Sequence, residues 1–281
     1  MAVMRQRVSR DDPPASLEKD EPERFPIPTA PRLIYTLSNS ASKVSNETRR
    51  YNMSFPNRYD RNKIALSEEE CAKLANKRIA IVGCGGLGGA VIEALARIGV
   101  GYLRVIDGDV FEESNLNRQL LCTESALGRE KALVAAERIA SINSEVSAEA
   151  IVSYLDEANA AALLADVDCV VDCLDNLEAR FWMAHACQNM GLPLVYGAIA
   201  GWFGQVCTVY PGDVSFVSIY GEPFGESQHK KLGNLPFTAY SIAAFQASEA
   251  VKVVLGKPGQ IRNRLLMIDL LDGSVDDMEL R

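Results

Sequence analysis

RIAIVGCGGLG, from Arg78 to Gly88, decides the fold: an apolar run rich in isoleucine is followed at once by four glycines in six positions. The run reads as a buried parallel strand. The glycines Gly83, Gly85, Gly86 and Gly88 read as a tight turn that lets phosphate oxygens approach backbone N–H groups at the positive end of a helix. That helix is expected over 90–98 and stops at Gly99. A second strand, YLRVI over 102–106, ends at Asp107. The acid falls roughly 20 residues beyond the loop, where it can accept both hydroxyls of a ribose. Loop, strand and acid together point to a nucleotide.

Beyond this unit the chain keeps alternating. Helices are expected over 128–142, 159–164 and 177–190, and strands over 148–152, 168–173 and 194–198. Such alternation implies right-handed crossovers and a doubly wound sheet. The rhythm then changes. Residues 205–210 alternate as a strand, 211–236 are rich in Gly, Pro and Ser and read as a long loop, 237–255 as a helix, and 265–280 as a final hairpin. The expected fold is α/β: a Rossmann-like doubly wound, mostly parallel sheet with a C-terminal antiparallel extension. Residues 1–56 show no sustained period and read as a disordered or loosely docked extension. Order is expected from Asn57 through a short helix, and Ser67 with Glu70 has the form of a capping box.

The 281 residues carry a formal net charge of -8, which argues against a nucleic-acid backbone or an anionic membrane as main partner. No apolar run is long enough to span a membrane, and the N-terminus lacks a hydrophobic signal segment. Seven scattered cysteines do not form a disulfide framework, so reduced thiols and a cytoplasmic location are expected.

The segment FEESNLNRQ, Phe111 to Gln119, narrows the chemistry. Arg118 offers a planar, multidentate donor set to phosphates just after the ribose site. Asn115 and Asn117 can add neutral hydrogen bonds. Lys131, after Gly128, is either a second phosphate cation or a solvated helix charge. Asp175, in DCLDN at another strand end, is placed either to hold magnesium through oxygen ligands or, like Asn176, to cap the following helix.

From 57 to 281 the sequence resembles the ThiF/MoeB/HesA family, bacterial relatives of the ubiquitin-activating enzymes. The motifs that carry the resemblance are RYDRN (58–62), GCGGLG, IDGD with Asp107 and Asp109 followed by NLNRQ, GREK (128–131) and DCLDN (172–176). The resemblance implies an ATP-dependent adenylyltransferase that activates the C-terminal glycine carboxylate of a ubiquitin-like sulfur carrier ending in Gly-Gly. The sulfur would serve thiamine or molybdenum/tungsten cofactor biosynthesis. It places Asp107 on the ribose, Arg118 and Lys131 on the phosphates, and Asp175 on magnesium. It also implies a homodimer in which Arg61 reaches the partner's ATP site.

Two departures from the family pattern matter. The chain has no CxxC pair for a structural zinc, and no cysteine follows Cys207. Relatives that form a covalent link to the carrier place a cysteine in that region. A zinc-free member that stops at the acyl-adenylate, with a separate sulfur donor, is therefore expected. Cys84 and Cys122 are weak nucleophile candidates, and Cys169 and Cys173 read as core thiols. His185 reads as structural; His229 can help recognise a carrier tail. Trp202 and Phe203 read as core, dimer-face or tail-channel residues. The rival readings are a carrier-binding scaffold without activity, a relative that activates a carboxylate on modified tRNA, and an NAD-dependent oxidoreductase.

Overall fold

The computed structural model describes residues 34–37, 56–213, 219–220 and 232–280. Among them one nine-stranded sheet runs in the order β1-β4-β3-β2-β5-β6-β7-β8-β9. Its centre is parallel: β4 (Ser147–Ile151), β3 (Tyr102–Ile106), β2 (Arg78–Val82), β5 (Cys169–Asp172) and β6 (Leu194–Ala200). β7 (Phe203–Val209), β8 (Arg264–Asp269) and β9 (Ser274–Glu279) add the antiparallel extension.

Alternation along β2 shows why the sheet is covered on both sides. Ile79 and Ile81 pack with α2 (Gly86–Ile98), α3 (Lys131–Ile142) and α6 (Pro236–Leu255). Ala80 and Val82 face the opposite cluster, under α4 (Ala160–Leu163) and α5 (Leu177–Met190). α1 (Glu68–Leu74) begins with the expected capping box between Ser67 and Glu70. Because β2 pairs with both β3 and β5, chain direction across the sheet reverses there, and the crevice at a topological switch point lies above their carboxyl ends.

Two differences from the sequence expectations have physical reasons. Within the expected N-terminal extension, β1 (Ile34–Leu37) pairs antiparallel with β4; local periodicity cannot register a four-residue strand made by a long-range ladder. The rest of 1–55 lies outside the described residues. The segment after Pro56 is a single 3-10 turn, Asn57–Tyr59, rather than a helix. It is fixed by Tyr59, whose hydroxyl accepts from Asn143 Nδ2 at 2.7 Å and whose ring occupies the space beside Gly99. Most of the expected 211–236 loop, with His229, also lies outside the described residues.

Candidate functional site

The glycine loop divides into two kinds of glycine. Gly83 has φ +95, and a Cβ there would lie 2.6 Å from the Cys173 carbonyl oxygen. A Cβ on Gly88 would lie 1.8 Å from the Gly83 oxygen. The fold itself demands these two. A Cβ on Gly85 or Gly86 would meet only ordinary contacts, the nearest at 3.5 Å from Gln119 Nε2 and from Ala239 Cβ respectively. No side chain caps the N-terminus of α2 that follows, so its first N–H groups are available to an anion.

Asp107 ends β3 against this loop. One carboxylate oxygen accepts from Cys84 N–H at 2.7 Å and the other from Asp109 N–H at 2.8 Å. Burial pushes its carboxyl up, with both N–H groups and Lys131 opposing. Each oxygen still has lone-pair capacity for a hydroxyl donor. Asp109 accepts from Lys131 Nζ at 3.1 Å and from the Tyr154 hydroxyl at 2.5 Å. Burial works against the charged form of Asp109, but Tyr154 and Lys131 hold it below the usual range. Lys131 is only 6% exposed, which rules out a solvated helix charge. A cation at the first position of α3 opposes the helix dipole, and Asp109 compensates it.

Arg118 and Gln119 line the other flank. A Cβ on Gly86 would come within 3.7 Å of Arg118 Cγ. The guanidinium donates to the Ser114 carbonyl at 3.0 Å and to Asn117 Oδ1 at 2.8 Å, and among the described residues it has no carboxylate partner. Asn115 is buried, and its Oδ1 accepts from Glu112 N–H, closing the short turn that aims Arg118. Asn117 donates to the Asn234 carbonyl at 3.1 Å, tying the turn to the approach to α6. Both asparagines are thus engaged in shaping the segment. Gln119, quoted in the motif but given no role from sequence, is buried beside Gly85 with Oε1 unpartnered among the described residues.

The exit of β5 closes the crevice. Asp172 is fully buried, accepts from Leu174 N–H and lies 3.7 Å from Arg180. Burial pushes its carboxyl up to about 6, with Arg180 opposing. Arg180 also donates to the Leu174 and Gly197 carbonyls, holding the strand ends together. Asn176 caps α5, accepting from Ala179 N–H at 2.9 Å. Asp175 is released from that duty: it is exposed, with no hydrogen bond or ion pair among the described residues.

The crevice therefore brings together the glycines, Asp107, Asp109, Asn115, Asn117, Arg118, Lys131 and Asp175. Arg61 is elsewhere. Its neighbour Asn62 donates to the Ile98 carbonyl at the far end of α2, about 20 Å from the glycine loop for a helix of 13 residues. All seven cysteines are described, and all are buried. Burial raises every one of the thiols. Among the described residues no group of three or more His, Cys, Asp or Glu could hold a metal, and no helix is long and apolar enough to cross a membrane. His185 is exposed on α5, and Trp202 packs on Phe237 with centroids 4.7 Å apart while both remain partly exposed.

The ThiF family profile matches residues 59–281. The SAMP-activating enzyme E1 of Haloferax volcanii is 34% identical over 80% of this chain and 85% of its own length. A sulfur carrier protein adenylyltransferase of Thermus thermophilus is 32% identical over 80% of this chain and 87% of its own. The sulfur carrier protein ThiS adenylyltransferase of Bacillus subtilis is 35% identical over 66% of this chain, and the match spans 56% of that protein. In fold, the chain is similar to a crystal structure of E. coli MccB with ATP, at TM-score 0.69 and 22% identity over 80% of this chain and 72% of that one. With the family profile covering the glycine loop, the NLNRQ turn and the β5 exit alike, the chain belongs to the ThiF family.

Proposed function

We propose that this chain is an ATP-dependent adenylyltransferase of the ubiquitin-activating type, acting on the C-terminal glycine carboxylate of a ubiquitin-like sulfur carrier. The observation that carries this reading is Arg118, a cation without a carboxylate partner among the described residues, held against Gly86 of an uncapped helix end. A dehydrogenase has no general use for it; a triphosphate does.

In the reaction a carrier carboxylate oxygen attacks the α-phosphorus. The bond from that phosphorus to the bridging oxygen breaks, and pyrophosphate leaves with the electron pair. Negative charges crowd together in this step, so positioned cations supply most of the stabilisation. Asp107 holds the ribose hydroxyls, while Arg118 and Lys131 hold phosphate oxygens. Asp175, an exposed carboxylate at a strand exit with its oxygens uncommitted, fits magnesium. A magnesium held by Asp175 would supply positive charge to offset that on the departing pyrophosphate.

The catalytic unit spans 57–281 together with the edge strand β1, Ile34–Leu37. It works as a homodimer, because Arg61 is too far from its own crevice and serves the partner's. Ile64 supports this: fully exposed and β-branched, it holds φ 84, a conformation that calls for a compensating contact. With every thiol buried, the acyl-adenylate is consumed by a nucleophile from outside the chain, a separate sulfur donor. The sulfur feeds thiamine or molybdenum/tungsten cofactor biosynthesis, and the carrier that supports turnover tells which.

ATP–pyrophosphate exchange tests the proposal. Exchange that requires a carrier ending in Gly-Gly is the expected result. Tight carrier binding without exchange would leave a scaffold, and nicotinamide binding in place of ATP would make the chain an oxidoreductase.

A further inference from the structure

Among the described residues at the crevice, Tyr154 carries an aromatic ring that the roles above leave unused. It follows β4 by three residues and is 68% exposed, yet it is not loose. Its hydroxyl donates to Asp109 at 2.5 Å, and Asp109 is in turn held by Lys131. Its ring fills the space beside Gly108, where a Cβ would stand 2.7 Å from Tyr154 Cγ. That hydrogen bond, with burial, raises the phenol to about 12, so the hydroxyl remains a donor across the physiological range.

The sheet order fixes what lies next to this ring. β2, β3 and β4 are parallel neighbours, so their exits stand side by side, about 4.8 Å from strand to strand. The glycine loop leaves β2, Asp107 leaves β3, and Tyr154 follows β4. A nucleotide with its phosphates on the loop and its ribose on Asp107 has its base one strand further on.

We infer that Tyr154 is the platform on which the nucleotide base stacks, an inference that rests on the ATP reading above. The ring is already ordered by Asp109 and Gly108, so stacking costs little further side-chain entropy. Gly108 is required because any side chain there would displace the platform.

The experiment compares ATP with ribose 5′-triphosphate, which keeps the ribose and phosphates and lacks the base. Affinities of wild type, Tyr154→Ala and Tyr154→Phe are measured in the full chain by calorimetry or competition. Tyr154→Ala is expected to weaken ATP on the order of tenfold, the contribution of one base–aromatic stack, and to leave ribose 5′-triphosphate unchanged. Tyr154→Phe, which keeps the ring, should stay close to wild type on both. Equal loss on both ligands, or the same loss in the phenylalanine variant, would overturn the inference, because the tyrosine would then act through Asp109 and Lys131. An unchanged ATP affinity in Tyr154→Ala would also overturn it while leaving the ATP reading intact. A wild-type chain that binds neither ligand removes the ATP reading and the platform with it.

Discussion

The two flanks of the crevice are built differently. Over β3 and β4 the charges are already satisfied: Asp107 by two backbone N–H groups, Asp109 by Lys131 and Tyr154. Beside Gly86 and beyond β5, Arg118 and Asp175 have no charged partner among the described residues. A paired group contributes to the fold before any ligand arrives, whereas an unpaired one contributes only when a ligand is present. The flank over β3 and β4 is preorganised, and the flank beside Gly86 and the β5 exit is waiting for charge.

The largest effect expected from this contrast falls on the waiting flank. Arg118→Ala and Asp175→Asn should each lower the rate of ATP–pyrophosphate exchange by about 10²–10³-fold, the usual loss when one transition-state charge partner is removed. Their melting temperatures should stay at the wild-type value, since exposed or half-exposed groups without ion pairs contribute within about 0.5 kcal/mol. A clear drop in thermal stability for either variant would break the comparison.

Lys131→Met comes next and should behave differently. Exchange should fall about tenfold to a hundredfold, as for a lost hydrogen bond to a charged group. Stability should fall as well, by about 1 kcal/mol, because the ion pair to Asp109 is lost while Asp109 keeps contact with water. At this chain length that corresponds to a melting shift of about 2–4 °C, readable by calorimetry. If Lys131→Met loses activity with no stability change, the ion pair contributes nothing to the fold and the two flanks are alike.

The flanks also differ in how far the sequence reveals them. The parallel strands are legible because each is a compact apolar run between turn residues, and α5 matches its expected 177–190 span to the residue. Asp107 is legible from its distance to the glycine loop. What residues do for one another is less so. A lysine opening a helix reads equally as a phosphate cation or a solvated charge, and its burial depends on Asp109, 22 residues earlier. Asp175 and Asn176 both have side chains able to cap a helix, and only the fold assigns the Ala179 N–H to Asn176. Asn115 carries a hydrogen-bonding side chain that suits a ligand, yet it is used to close its own turn. Gln119 and Tyr154 belong to no periodic pattern. The signal that could have found Tyr154 is the rule that strand exits face the crevice, applied to β4 as well as to β3 and β5.

The smallest effect comes from Gly86→Ala, and it separates fold from function at a single atom. Gly86 is the first residue of α2, with no left-handed φ, and its added methyl would meet Ala239 Cβ at 3.5 Å and Arg118 Cγ at 3.7 Å, both ordinary contacts. Alanine also suits a helix better than glycine, so stability should hold or rise by a few tenths of a kcal/mol. The same methyl adds bulk beside Arg118 at the uncapped start of α2, where the proposed phosphate site lies. The Kd for ATP should therefore rise about fivefold to tenfold, the worth of one hydrogen bond. Stability without affinity is the expected signature of a glycine kept for its ligand. If Gly86→Ala binds ATP as wild type does, the phosphates do not pass over this residue, and the waiting flank reduces to Arg118 and the β5 exit.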